Sequence, residues 1–556
     1  MDYTRPHDPD VYLVTRNSEY PNVRVTPGHD LVKQVRSADG LVGYRRNDYF
    51  YRSYTINAEG RGPAGFEFET IVDLDTGASE TVRRSLEFPN IGMTLEQTNR
   101  TDDVVLGEVT NELSAIQPYG SRPIYFPYAT LSTSVAFDLD GATLSRTVSS
   151  SSYDDYGNVE TTQVQVTDLG TQKVKTTNTV NQYGPTDEAK RLGRLEQSTV
   201  SHSVTGRPTI TRISAFTYDP ITQLLESETV EPGGYGTTEY LHKRHYRDAY
   251  GSIRRTDVTG FGVDGSEITR VTTNTVTVSP QEIQTVSCSY PKEADPSAAT
   301  VQICSTRVAD RRHGGIVRTI DANGFEQETI YDGFGRVWRS EQVTGGRQVW
   351  SQIDRAFISD SSLPLAVTTT TTTDSTGGTS TSYLDALGRV IKKTWPAMDG
   401  RVVAEETSYT REGLVRSQSR PYFNGTVAPN RTVMRYDALA RVIEVKSPSS
   451  DGSFDTVTHS YDGFIKTSTY DRDSVGQVQR VETKNAFGEL IHVMEGSGIA
   501  GTLFEHDALG NVVRTTNALG EETSIEYDRS GRKTKMIDPS AGTWLYLGST
   551  PFPRTV

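Results

Sequence analysis

Two cysteines and four tryptophans in 556 residues, with no apolar run of 18 or more, leave neither a disulfide framework nor a membrane-spanning helix to be built. The first thirty residues (MDYTRPHDPDVYLVTRNSEYPNVRVTPGHD) lack a basic n-region and an apolar h-region, so no cleavable signal is expected in this chain. Basic residues are outnumbered, 57 against 71 acidic, for a net charge of −14 and a pI near 5.3. With no basic stripe, such a field repels polyphosphates and argues against a nucleic-acid partner. HExxH, paired CxxC, P-loop and GxSxG elements are all missing, and Ser, His and Asp are too dispersed to nominate a triad. The expectation is a chain with no catalytic residue, cofactor or metal, and therefore not an enzyme.

What is present is sheet chemistry. Tyrosine leads the aromatics, 28 against 17 phenylalanines, and Thr and Val recur throughout a chain that is only 34% hydrophobic. That is the composition of strands with one wet face, and it predicts a thin core and little helix. An internal period is visible: Asp or Asn, two residues, then Gly, usually with Tyr before and Arg-Val or a similar pair after. The copies pair Asp154 with Gly157, Asp248 with Gly251, Asp321 with Gly324, Asp332 with Gly335 and Asp385 with Gly388. They continue with Asp437 and Ala440 in the glycine place, Asn485 and Gly488, Asp507 and Gly510, Asn517 and Gly520, and Asp528 and Gly531. Adjacent copies, such as Asp507, Asn517 and Asp528, step by ten or eleven residues.

Each step reads as a strand plus a turn. Asp at the first position of a type I turn bonds the backbone two residues on, and Gly follows where the chain enters the left-handed region to rejoin a strand. One hairpin cannot bury its face alone, so successive hairpins must stack into a continuous sheet. About 450 repeat-like residues predict about 43 strands, a ribbon roughly 200 Å long, and a ring about 65 Å across if wrapped once.

The segments YDGFGRVWRSE, YLDALGRVIKKTWP and HDALGNVVRTTNALGEETSIEYDRSGRK resemble the YD repeats of rearrangement-hotspot (RHS) proteins. Upstream, GRLEQSTVSHSVTGRP with FTYDPITQLLESETVEPGG looks like the segment before the regular repeats in SpvB-like and insecticidal toxin-complex proteins. The stretch from Tyr51 to Pro89 is similar to the strand pair that comes earlier still. The resemblance runs from about Asp39 to Tyr546 and is densest after Asp321. It implies an all-β fold of YD-repeat antiparallel hairpins stacked into a long wound sheet that forms a shell. The family's shell holds a toxic C-terminal module cut free by a self-processing core. The DPxG signature of that core has no counterpart here, so the chain reads as a fragment without core or toxin.

The expected organisation is a β-rich lead-in (1–150), irregular YD-type repeats (151–320), regular repeats (321–546) and a non-repeat tail (547–556). The expected role is a shell segment of a secreted or cell-surface bacterial toxin. Its partners would be further shell repeats or a partner shell chain and a toxin module, with glycans a further candidate and no membrane insertion by this chain. A carbohydrate-binding adhesin and a glycosidase on an all-β scaffold are the alternatives.

Sharper motifs have blander readings. Asp73-Leu74-Asp75-Thr76-Gly77 contains the aspartic-protease tripeptide once where that chemistry needs it twice, and reads as a hairpin turn. Asp138-Leu139-Asp140-Gly141 lacks the twelfth-position glutamate of a calcium loop and reads the same way. His242 and His245 point to opposite faces if they lie in a strand. Thr368 to Thr373 reads as strand and loop, and PTDEAKRLGRLEQ from Pro185 as one or two helical turns. Cys288 and Cys304 flank a Pro-containing loop between two β-type runs; a cross-strand disulfide and two free thiols both remain open.

Overall fold

A computed structural model describes the chain except residues 16–17, 42, 119–121, 185–192, 263, 292–301, 345–346, 360, 428, 451, 473–475, 497–500 and 547–556. The described residues form 42 strands and one 3-10 turn, Pro232–Gly234, with no α-helix. No helix among them is long and apolar enough to cross a membrane. The all-β reading is borne out; of the segment from Pro185 where a helical turn was expected, residues 185–192 lie outside the described residues and Leu195 to Gln197 begin the strand Leu195–Val204.

From Leu31–Ala38 onward the chain is a meander in which each strand pairs antiparallel with the next. Only the lead-in departs from this, with Tyr12 and Leu13 running parallel to Tyr51 and Arg52. Pairing continues across residues 150 and 320. One strand is interrupted: Val402–Tyr409 is faced by Val415–Ser419 and then Tyr422–Phe423, a single partner bent at Arg420 and Pro421.

The core is thin, as the composition predicts. Val11, Tyr12 and Leu31 form a buried cluster against Tyr51, Tyr54 and Phe66 in the lead-in. Elsewhere the sheet faces carry cross-strand hydroxyl pairs where a sandwich would carry apolar ones, among them Thr70 with Thr81, Thr217 with Ser227, Thr259 with Thr269 and Thr371 with Thr381. The accessible surface is 32574 Å², whereas a compact chain of this mass would expose about 20,000 Å². The excess fits a ribbon one sheet thick, wet on both faces.

Candidate functional site

The repeat turn is one construction used many times. At Asp385 the backbone N–H donates to the Arg389 carbonyl (3.0 Å) and Gly388 N–H donates back to the Asp385 carbonyl (3.0 Å). The Asp385 Oδ1 accepts from the Leu387 and Arg389 amides, both at 2.9 Å, and Oδ2 from Arg389 Nε at 2.7 Å. Asp332, Asp437 and Asp528 repeat this with Arg336, Arg441 and Arg532. Asp154 and Asp507 use Asn158 and Asn511 as the side-chain donor. Where Asn opens the turn the roles reverse: Asn485 and Asn517 donate to Glu489 and Glu521. Asp248 and Asp321 cap the same two amides of their turns. Gly157, Gly251, Gly324, Gly335, Gly388, Gly488, Gly510, Gly520 and Gly531 all have positive φ, and Ala440 sits at φ 59° in their place. The register shifts by one residue beside these turns, between Glu505 and His506 for example, which is the bulge that a left-handed residue creates.

Two residues of the repeat that the sequence reading left without a role join one turn to the next. At several turns the tyrosine before the turn donates its hydroxyl to the backbone carbonyl just after the preceding turn on the same edge. These bonds run from Tyr409 to Val390 (2.9 Å), Tyr436 to Val415 (2.7 Å), Tyr461 to Val442 (2.9 Å) and Tyr527 to Val512 (3.1 Å). Burial pushes the phenols of Tyr409, Tyr461 and Tyr527 up, so they remain donors. The turn arginine stacks on the next tyrosine, Arg389 over Tyr409 at 4.6 Å and Arg441 over Tyr461 at 4.4 Å. The signal was the recurrence of Tyr and Arg at fixed places; turn chemistry alone asks for neither.

Hairpin turns alternate between the two edges of the ribbon, and late turns of one edge rest on early turns of the other. Arg389 Nη2 donates to the Asp39 carbonyl (2.8 Å), Arg411 Nη1 to Asp75 Oδ1 (2.9 Å) and Arg441 Nη1 to Asp138 Oδ1 (3.1 Å). The amides of Gly463 and Ala486 donate to Asp138 (2.8 Å) and Asp168 (3.0 Å). Farther along, Lys175 Nζ meets Glu489 Oε1 at 2.7 Å and Arg207 pairs with Glu505. Then the Arg529 amide reaches Glu239 (3.0 Å) and Arg532 reaches the Thr238 carbonyl (2.7 Å). Burial raises the Asp138 carboxyl, but the amides of Leu139 and Gly463 and the Arg441 guanidinium outweigh it and hold the group below the ordinary range.

The separation along these contacts falls from 350 residues to 290, yet the strand count does not change. Taking the interrupted strand as one, 23 strands separate the turns at Asp39 and Asp385, Asp75 and Arg411, Asp138 and Gly463, Asp168 and Asn485, Arg207 and Asp507, and Glu239 and Asp528. Residues per circuit fall because strands shorten, from 14 residues in Tyr44–Asn57 to 5 in Val512–Thr516. An odd count is what brings opposite edges together. Twenty-three strands at ~4.8 Å make a circuit of about 110 Å, about 35 Å across and wider with strand tilt. The circuit is thus narrower than the ring of about 65 Å that a single wrap of the whole ribbon makes, because the ribbon passes one full winding and locks onto itself.

The charge order along this seam specifies the register. Advancing by one hairpin would set Glu505 against Glu231 and Glu239. Retreating by one would set Glu489 toward Asp138, and Arg529 and Arg532 toward Arg207. Like charges meet either way.

The remaining candidates take structural places. Asp73 caps the amides of Asp75 and Thr76 and pairs with Arg45, so that segment is a turn; Asp138 opens another, with the Gly141 amide on its carbonyl. His242 and His245, in the strand Leu241–Arg247, each face a cross-strand threonine, Thr229 and Thr256. The threonine run is the strand Thr368–Asp374. Cys288 and Cys304 lie directly opposite in adjacent strands and are joined as a disulfide. Among the described residues no three His, Cys, Asp or Glu side chains stand together as a metal site. A cleft of 1310 Å³ lies in the lead-in and is lined by Arg24, Asn57, Glu67, Arg84 and Asn111.

The RHS Repeat family model matches residues 506–543, from the Asp507 turn through the Asp528 turn. Those residues form an RHS repeat. The crystal structure of TcdB2-TccC3-TEV matches this chain at 10% identity with a TM-score of 0.53, covering 94% of this chain and 42% of that one. The likeness is one of fold, and this chain spans less than half the length of that protein. A crystal structure of TcdB2-TccC3 matches at 9% identity and a TM-score of 0.30, over 92% of this chain and 46% of that one. No curated protein matches this chain by sequence.

Proposed function

We propose that this chain is wall: a segment of the shell of a secreted toxin complex of the bacterial RHS type, enclosing or presenting a toxic module while contributing no chemistry. The observation that carries the reading is the seam, through which a two-faced ribbon of hydroxyl-bearing strands closes on itself every 23 strands. A closed winding encloses space, and a sheet built only to display a surface has no need of one. The fold likeness to TcdB2-TccC3-TEV supports the same reading. In this account the partners are further windings and the enclosed module. The test is to express the chain within its complete reading frame, image the particle, and treat it with protease. A hollow particle that shields an internal segment from cleavage is expected. A solid particle or a surface fibre, with every segment equally cleavable, would contradict it.

A further inference from the structure

Pairing in the ribbon is broken where one strand is interrupted, and an amine, a carboxamide and a carboxylate converge at that break. Val402–Tyr409 has a bent partner on one side, and Tyr422–Phe423 pairs with only Ala404 and Val403 of it. On its other side Lys392 stands directly opposite Glu406. Lys392 Nζ lies 3.1 Å from Asn424 Oδ1 and 3.7 Å from Glu406 Oε1. A lysine only donates, so it is the carboxamide oxygen that it meets, and the carbonyl carbon is one bond beyond.

Each of the three groups is held in place. The Lys392 side chain is only 14% exposed. The Asn424 amide donates to the Val402 carbonyl (2.8 Å), and the Thr426 amide closes the turn onto the Phe423 carbonyl (3.1 Å). Glu406 accepts from the Tyr422 hydroxyl at 2.6 Å and from Arg431. Burial raises the Glu406 carboxyl, but Tyr422 and Arg431 outweigh it and keep the group ionised, able to take up a proton. Asn424 is exposed, so a small leaving molecule has a way out. Holding amine and carbonyl together in this way removes the entropic barrier that makes the same reaction slow between free molecules.

We propose that Lys392 and Asn424 join in an intramolecular isopeptide bond that spans the interrupted strand. The lysine ammonium passes a proton to Glu406, and the freed amine attacks Asn424 Cγ, forming the Nζ–Cγ bond while the carbonyl electron pair moves onto oxygen. That pair returns as the Cγ–Nδ2 bond breaks. Of the three ammonium protons, one stays on the new amide nitrogen and two pass through Glu406 to the departing nitrogen, which leaves as ammonium. Glu406 ends as it began, and nothing is oxidised or reduced. At the seam Lys175 meets a carboxylate, Glu489, which offers no such leaving group and stays an ion pair.

The test is the mass of the whole chain, unfolded, beside that of Lys392→Arg and Asn424→Ala. The unaltered chain should be lighter than its sequence by one ammonia, and digestion should yield a branched peptide joined through Lys392 and Asn424. Both variants should have their full sequence mass. Glu406→Gln, which cannot carry the proton, should form the link roughly a hundredfold more slowly after synthesis. The unaltered chain decides the matter even if a variant fails to fold. An unaltered chain at full sequence mass would overturn the proposal. So would an ammonia loss that survives in Lys392→Arg, the sign of Asn424 closing on the Gly425 amide instead, or a link that forms at an unchanged rate in Glu406→Gln.

Discussion

The turns at Asp138 and Asp321 stand on the same edge of the same ribbon, and each opens with an aspartate that caps nearby backbone amides. Asp138 also holds Gly463 and Arg441 from the next winding and is buried, while Asp321 is exposed. Local turn chemistry therefore makes hairpins anywhere along the chain, and winding is decided by a few charges placed where a second circuit will pass. The repeat is most regular in the winding that lies on top, yet the irregular lower winding keeps the same strand count because strand number, not strand length, sets the circuit.

The largest effect should come from cutting the covered turn. Asp138→Ala strands the Gly463 amide and loosens Arg441, and should cost about 2–3 kcal/mol in urea unfolding; Asp321→Ala should cost about 1 kcal/mol. Equal losses would mean that the windings do not bear on each other. Next comes the charge order. Lys175→Glu should destabilise by about 1–2 kcal/mol through repulsion from Glu489, and adding Glu489→Lys should restore most of it. A double variant no better than the single one would remove charge as the register signal. Smaller and purely local is the left-handed position: Gly388→Ala should cost about 1 kcal/mol and Ala440→Gly gain a similar amount. Neutral results for both would reject the bulged-turn assignment, even with Ala440 at φ 59°.

The smallest expected effect is spread over the sheet. Burial, with cations nearby, pushes the imidazoles of His202, His242, His245 and His459 down. The unfolded chain takes up protons near pH 6.5 that the folded chain resists, so stability should fall as pH drops through that value and level off below the folded pKa values. Asp138 shifts down from 3.8, so its contribution is present above about pH 4 and is lost as pH falls through its folded value. Both act in the same direction. Denaturant midpoints that rise between pH 7 and 5 would break the histidine assignment.

Much of the hairpin was legible in the sequence, because the Asp, Gly and alternating strand residues act within ten positions of one another. The step of ten or eleven residues holds in the later repeats, whereas earlier strands such as Tyr44–Asn57 are longer, so the 42 described strands spread over the whole chain and not over about 450 residues of it. Tyr409 and Arg389 were visible as part of the motif, but their partners lie one hairpin away, beyond what a single turn constrains. The disulfide stayed open since two cysteines on either side of a loop become neighbours only when the strand register is known. The seam was out of reach altogether. Arg441 and Asp138 lie 303 residues apart, and nothing in either local segment names the other, so a count of strand spacings predicts ribbon length but not where the ribbon meets itself.

The central claim is that the ribbon returns to itself after 23 strands, and a zero-length carbodiimide cross-link reads it directly. Lys175 Nζ and Glu489 Oε1 are 2.7 Å apart across 314 residues of sequence, so an amide bond can join them with no spacer. The monomer fraction of treated protein should yield, after digestion, a peptide pair linked through Lys175 and Glu489, and that pair should vanish in Glu489→Gln with the fold intact. A monomer in which Lys175 is linked only to carboxylates on its neighbouring strands, and never to Glu489, would contradict the wound and self-locked ribbon.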